Sequence, residues 1–127
     1  MLRLTLIGAA SVAAAGCASS QHSTGTTGFT RTDSGAVVRV LLDEYRIHMP
    51  TTIPGGDITF EVSNTGAHRH NIEVRGPGVD VKLPKDLEAG ESAQMKVRLE
   101  PGAYRVYCPV GPHAALGMRL DLTVEKR

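Results

Sequence analysis

The chain has 127 residues, with 14 Lys and Arg against 13 Asp and Glu, two Phe, three Tyr and no Trp. That length allows one domain, and a near-neutral balance with few stacking aromatics and no basic run excludes a nucleic-acid-binding surface. Net charge alone does not set a partner contact, although a local patch could steer one.

Residues 1–16 carry a single charge, Arg3, ahead of an uncharged run rich in Leu, Thr, Ile and Ala that ends in small residues. This is the pattern of a secretory signal, and the run is shorter than the roughly 20 residues of a membrane-spanning helix. Export is therefore expected. The stretch Ala14-Ala15-Gly16-Cys17 resembles the bacterial lipobox, with Ala14 where leucine is usual. That resemblance implies an acylated Cys17 as the new N-terminus. The protein would then be lipid-anchored on the outer side of the cytoplasmic membrane or in the periplasm. Ordinary cleavage near Ala13–Ala15 is the alternative and would leave Cys17 a plain thiol. With Arg3 gone, 13 basic residues face 13 acidic ones.

Acylation of Cys17 leaves Cys108 as the one thiol of the mature chain, so no disulfide is expected. An unpaired thiol in an oxidising compartment needs a reason to be kept. Metal ligation supplies one; a small buried hydrophobe is the plainer account.

Residues 17–35, which continue after Cys17 as ASSQHSTGTTGFTRTDSG, are small, polar and glycine-rich. They read as a flexible linker, in which His22 is a solvated residue. The folded domain is expected over residues 36–127, where short runs of Val, Ile, Thr, Tyr and Phe alternate with Gly, Pro and Asn. Strands are predicted over Val37 to Leu42, Tyr45 to His48, Asp57 to Ser63, His70 to Arg75, Val79 to Leu83, Glu91 to Leu99, Ala103 to Cys108 and Met118 to Val124. Turn chemistry at Pro54-Gly55-Gly56, Asn64-Thr65-Gly66, Gly76-Pro77-Gly78 and Pro101-Gly102 separates several of them. Seven or eight strands in so short a stretch predict an all-β fold, an antiparallel Greek-key β-sandwich.

Residues two apart on a strand share a face. Ile58, Phe60 and Val62 form one apolar set, and Met95, Val97 and Leu99 another. By the same parity His70 goes with Ile72 and Val74, Cys108 with Tyr104 and Val106, and Met118 with Leu120, Leu122 and Val124. All three chemistry-bearing residues are predicted to point inward at strand ends. A metal-free adhesion domain would leave that agreement unexplained.

The segment Cys108 to Met118, CPVGPHAALGM, places a thiolate, an imidazole (His113) and a thioether at equal five-residue steps. Thiolate and thioether are soft ligands and imidazole is borderline, so the set suits copper better than magnesium, calcium or manganese. A second histidine is still needed, and His70, in AHRHNIEV, is the obvious supplier. His68 reads as loop surface after the turn at Asn64-Thr65-Gly66, though it could reach the same face. His48-Met49-Pro50 reads as structural, with weak accessory metal binding as the alternative. Met95 reads as core.

With His70-Asn71 opening one strand and Tyr107-Cys108, a Pro/Gly loop, His113 and Met118 closing the chain, residues 37–126 resemble the cupredoxins, the type 1 (blue) copper family. The resemblance implies one copper ion cycling between Cu(I) and Cu(II). His70, Cys108 and His113 would form a trigonal plane, with Met118 as a long axial contact. It implies that Asn71 pins the ligand loop by side-chain hydrogen bonds. Pro109, which lacks an N–H, limits donation to the sulfur and should raise the potential. Val110, Ala114, Ala115 and Leu116 would form an apolar collar where electrons pass to redox partner proteins. Copper must displace ligand protons, so its affinity should fall at low pH.

The implied function is a monomeric electron carrier rather than an enzyme. The alternative is a copper-handling module that carries or delivers Cu(I) without redox cycling. Multicopper oxidases and copper nitrite reductases need further histidines. A binuclear centre needs a second loop cysteine.

Overall fold

The computed structural model describes residues 28–127; residues 1–16, expected to be a signal, as well as Cys17 and His22, lie outside the described residues. Ten strands and no helix form there: β1 (Phe29–Thr32), β2 (Gly35–Asp43), β3 (Arg46–His48), β4 (Thr52–Pro54), β5 (Gly56–Asn64), β6 (Glu73–Gly76), β7 (Val79–Lys82), β8 (Ser92–Leu99), β9 (Gly102–Tyr107) and β10 (Arg119–Glu125). They make two sheets. One runs β1-β2-β5-β8, with β3 beside β1 on the same edge of β2; the other runs β4-β10-β9-β6-β7.

The alternation read from the sequence decides what lies between them. Val38, Val40 and Leu42 of β2, and Ile58, Phe60 and Val62 of β5, are buried against Ile72, Val74, Tyr104, Val106, Leu122 and Val124 of the second sheet and its approaches. The β-branched residues at these positions suit a pleated, half-buried surface. Their polar neighbours, such as Arg39 and Lys96, face outward.

Two pairings depart from the antiparallel rule: β2 with β5, and β10 with β4, are parallel. Residues 44–55 explain both. This excursion leaves β2 through β3, crosses to the other sheet as β4, and returns to set β5 beside β2 in the same direction. Parallel neighbours need a crossover of about this length. The two strands beyond the expected eight are β1 and β4, of four and three residues. β1 falls inside the stretch whose composition reads as linker, and it is tied to β2 in antiparallel register from Phe29 opposite Val38 to Thr32 opposite Gly35. The segment predicted as one strand from His70 forms its ladder only from Glu73, for reasons that appear at the metal centre.

Candidate metal centre

Two segments far apart in sequence, the approach to β6 and the β9–β10 loop, deliver the candidate donors to one end of the sandwich. His70 lies before β6 and pairs its backbone with Leu87, donating its N–H to the Leu87 carbonyl at 3.1 Å and accepting from the Leu87 N–H at 2.8 Å. That pairing holds His70 against the β7–β8 connection and outside the β6 ladder. Cys108 follows β9 directly, and its N–H donates to the Met118 carbonyl at 3.0 Å, which closes the base of the ligand loop. Within the loop the His113 N–H reaches the Val110 carbonyl at 3.1 Å, and the Met118 N–H returns to the His113 carbonyl at 3.0 Å. Gly117, at φ 109°, makes the sharp turn into Met118 that a side chain would strain.

His70, Cys108 and Met118 are fully buried, as expected, and His113 is half-buried, but around His70 every residue from 70 to 74 is buried, so alternation does not decide its placement. His70 Nδ1 lies 3.2 Å from His113 Nδ1, Cys108 Sγ lies 3.6 Å from His113 Nδ1, and Cys108 Sγ lies 4.0 Å from His70 Nδ1. A triangle with these sides has its centre about 2.1 Å from each corner, close to metal–imidazole and metal–thiolate bond lengths. Two imidazole nitrogens and one thiolate around such a point fit copper, and a buried thioether at the end of the same loop adds a soft donor. The residues present therefore fit the group that the sequence implies.

Burial pushes the Cys108 thiol above its ordinary value, while the N–H groups of Asn71 and Val110 pull it back. Burial pushes His113 down, and the neighbouring His70 adds to this. Without metal the site holds a neutral thiol, so binding must expel that proton. Asn71 donates its backbone N–H to Cys108 Sγ at 3.5 Å. Its side chain donates to the Leu83 carbonyl at 3.3 Å and to Asp86 Oδ1 at 2.9 Å, and so ties down the β7–β8 connection rather than the ligand loop. Pro109 supplies no N–H, and the sulfur's backbone donors are Asn71, on another segment, and Val110, one residue further along the loop.

Two residues that the sequence reading passed over complete the surroundings. The turn between β2 and β3 sends Glu44 Oε1 to within 3.0 Å of His70 Nε2, and lays the Tyr45 ring edge-on to His113 with centroids 4.9 Å apart. The His68 N–H, His70 and the His68 ring hold the Glu44 carboxyl down at about 2 against the opposing effect of burial. An acidic residue in a polar turn looks like ordinary solvated surface, so no pattern marked it. His68 is exposed and bonds Glu44 Oε1 at 3.2 Å, outside the donor triangle. His48 pairs with Asp43 at 2.8 Å, and Met95 is core. The collar residues Val110 and Ala114 are half-buried, and Ala115 and Leu116 are exposed.

A family model for copper binding proteins of the plastocyanin/azurin family matches residues 48–125. No curated protein matches the chain. Among solved structures, dithionite-reduced auracyanin from the photosynthetic bacterium Roseiflexus castenholzii aligns with a TM-score of 0.61 at 23% identity, over 70% of this chain and 96% of that one. Auracyanin B aligns with a TM-score of 0.59 at 21% identity, over 70% and 88%. Both likenesses are of fold. The match over residues 48–125 and the donor triangle it encloses place the chain in the plastocyanin/azurin family of copper-binding proteins, the cupredoxins.

Proposed function

We propose that the protein is a mononuclear type 1 copper electron carrier working outside the cytoplasm, in which His70, Cys108, His113 and Met118 would hold the ion. The observation that carries this reading is the convergence of His70 Nδ1, His113 Nδ1 and Cys108 Sγ on one point. Bound copper would supply one-electron exchange between Cu(I) and Cu(II). The chain's part is to keep the donors still. His70 is locked to Leu87, Cys108 to Met118, and the loop to itself by backbone bonds, so either oxidation state meets the same arrangement.

His113 is the one donor residue of the triangle that is not fully buried, and it sits in the loop beside Ala114, Ala115 and Leu116. An apolar collar around a ligand edge suits brief docking by redox partner proteins. Leu116, 54% exposed, is its most prominent member. Residues 1–16 support export, and Cys17 supports a lipid anchor that would keep a monomer at the membrane. An open cavity of about 560 Å³ lined by Leu41, His48 and Met49, among others, includes none of the donors.

Addition of Cu(II) to the purified protein is expected to give an intense visible band and a narrow copper EPR splitting. Both should be absent in Cys108→Ser, bleach on reduction and return on reoxidation. Identical spectra for the two proteins would sink the sulfur assignment. Colour that never returns would favour a copper-handling module.

A further inference from the structure

We infer that Glu44 is a positioning residue for His70, fixing which imidazole nitrogen faces the donor triangle and lowering the reduction potential of the bound metal. The inference rests on His70 being a ligand.

An imidazole has two nitrogens, and a neutral ring protonates one of them. In His70 the Nδ1 faces His113 and Cys108, while Nε2 lies 3.0 Å from Glu44 Oε1. A carboxylate can only accept, so Nε2 carries the proton and Nδ1 keeps its lone pair for the metal. The His70 side chain has no exposed surface, and water does not reach its Nε2–H. Glu44 is its partner.

Glu44 is itself held in place. Its Oε1 accepts the His68 backbone N–H at 2.7 Å, so the carboxylate of the β2–β3 turn is anchored to the segment that presents His70. Close approach of that segment requires glycine at one position. A Cβ on Gly66 would stand 2.6 Å from Glu44 Oε1, 2.7 Å from Oε2 and 2.9 Å from Cδ. Gly66 is not in the left-handed region, so alanine there would displace the carboxylate without straining the backbone. The Glu44 side chain is 26% exposed, and a negative charge so placed stays partly shielded from solvent. It favours the more positive metal state, Cu(II) over Cu(I).

The test uses the whole protein as wild type, Glu44→Gln, Glu44→Ala and Gly66→Ala, with far-UV circular dichroism to confirm folding. In the metal-free form, nitrogen NMR of the imidazoles at fixed neutral pH reads the His70 tautomer. Wild type and Glu44→Gln, whose amide oxygen still accepts, should show one tautomer protonated at Nε2. Glu44→Ala should show a mixture.

In the copper-loaded form, redox titration should show the preference for Cu(II) over Cu(I) falling about tenfold in Glu44→Gln, a rise of about 59 mV for one electron. Gly66→Ala should move the potential part of the way in the same direction with the carboxylate intact. A single Nε2-protonated tautomer in Glu44→Ala, or a preference within twofold of wild type in Glu44→Gln, overturns the inference and leaves the copper reading standing. A wild type without Cys108-dependent colour removes the copper reading and the inference with it.

Discussion

Tyr107 and Cys108 are chain neighbours that serve opposite faces of the second sheet. Cys108 turns into the core, and Tyr107 turns out far enough for the Arg75 guanidinium to lie 5.5 Å from its ring centroid. The Tyr107 hydroxyl donates to Glu73, which is only 7% exposed and also accepts from Arg75 at 2.6 Å. Burial first, and then Glu73, push the phenol up to about 12, so it remains a donor throughout the ordinary pH range. Tyr107→Phe leaves the nearly buried carboxylate one donor short. It should cost about 1 to 3 kcal/mol in urea unfolding of the metal-free protein; an unchanged midpoint would show that Arg75 alone satisfies Glu73. At this scale the sequence exposes what is chemically unusual. A lone thiol, a histidine and a methionine at equal spacing stand out in any chain. Glu44 and Tyr45 do not, because their importance comes from where the β2–β3 turn points them, and spacing carries no information about that direction.

Strands were legible wherever alternation ran for five residues or more, as in β2, β5, β8 and β10. β4 was not, being three residues ending in Pro54, and β1 was hidden by its glycine- and threonine-rich surroundings. Least legible was the connection from Leu83 to Glu91, which has no regular pattern and yet forms the wall behind His70. Asn64, 1% exposed, holds that wall: its Nδ2 donates to the Leu87 carbonyl at 2.8 Å and the His68 carbonyl at 2.7 Å. Asn64→Ala should therefore cost about 1 to 3 kcal/mol and also loosen His70, seen as faster amide exchange at His70 and Leu87; slow exchange at both would place the anchor elsewhere. The far end of the wall is closed by Glu91, whose carboxylate accepts the Glu88 N–H at 2.9 Å and pairs with Lys85. The Glu88 N–H, ahead of Lys85, holds the Glu91 carboxyl below its ordinary 4.5. A depressed carboxylate stabilises the fold fully above its unfolded value and loses that contribution as pH falls through the folded one. The stability gap between wild type and Glu91→Gln should thus be present at neutral pH and shrink progressively as pH falls below about 4.5; a gap that does not shrink with acid would show that charge is not its source.

For the whole molecule, what matters is that the donors come from two segments far apart in sequence and meet only when β6, β9 and β10 have paired in the second sheet. Leu87 on the β7–β8 connection, β9 and the loop into β10 must all be in place before His70, Cys108 and His113 can converge. The unfolded chain has no comparable arrangement. A ligand that binds the folded state alone adds RT ln(1 + [L]/Kd) to stability, about 4 kcal/mol at a thousandfold excess over Kd. For a domain of about 100 residues each kcal/mol moves the melting temperature by about 5 °C, so saturating Cu(II) should raise it by roughly 20 °C. Cys108→Ser should forfeit most of that increment while its metal-free melting point changes far less, because the hydroxyl is a poor substitute for a soft ligand but takes up similar space. Calorimetry of both proteins with and without Cu(II) separates the two effects. Equal shifts in the two proteins would mean that the ion binds the surface histidines, such as His48 beside Asp43, and not the centre that the fold assembles.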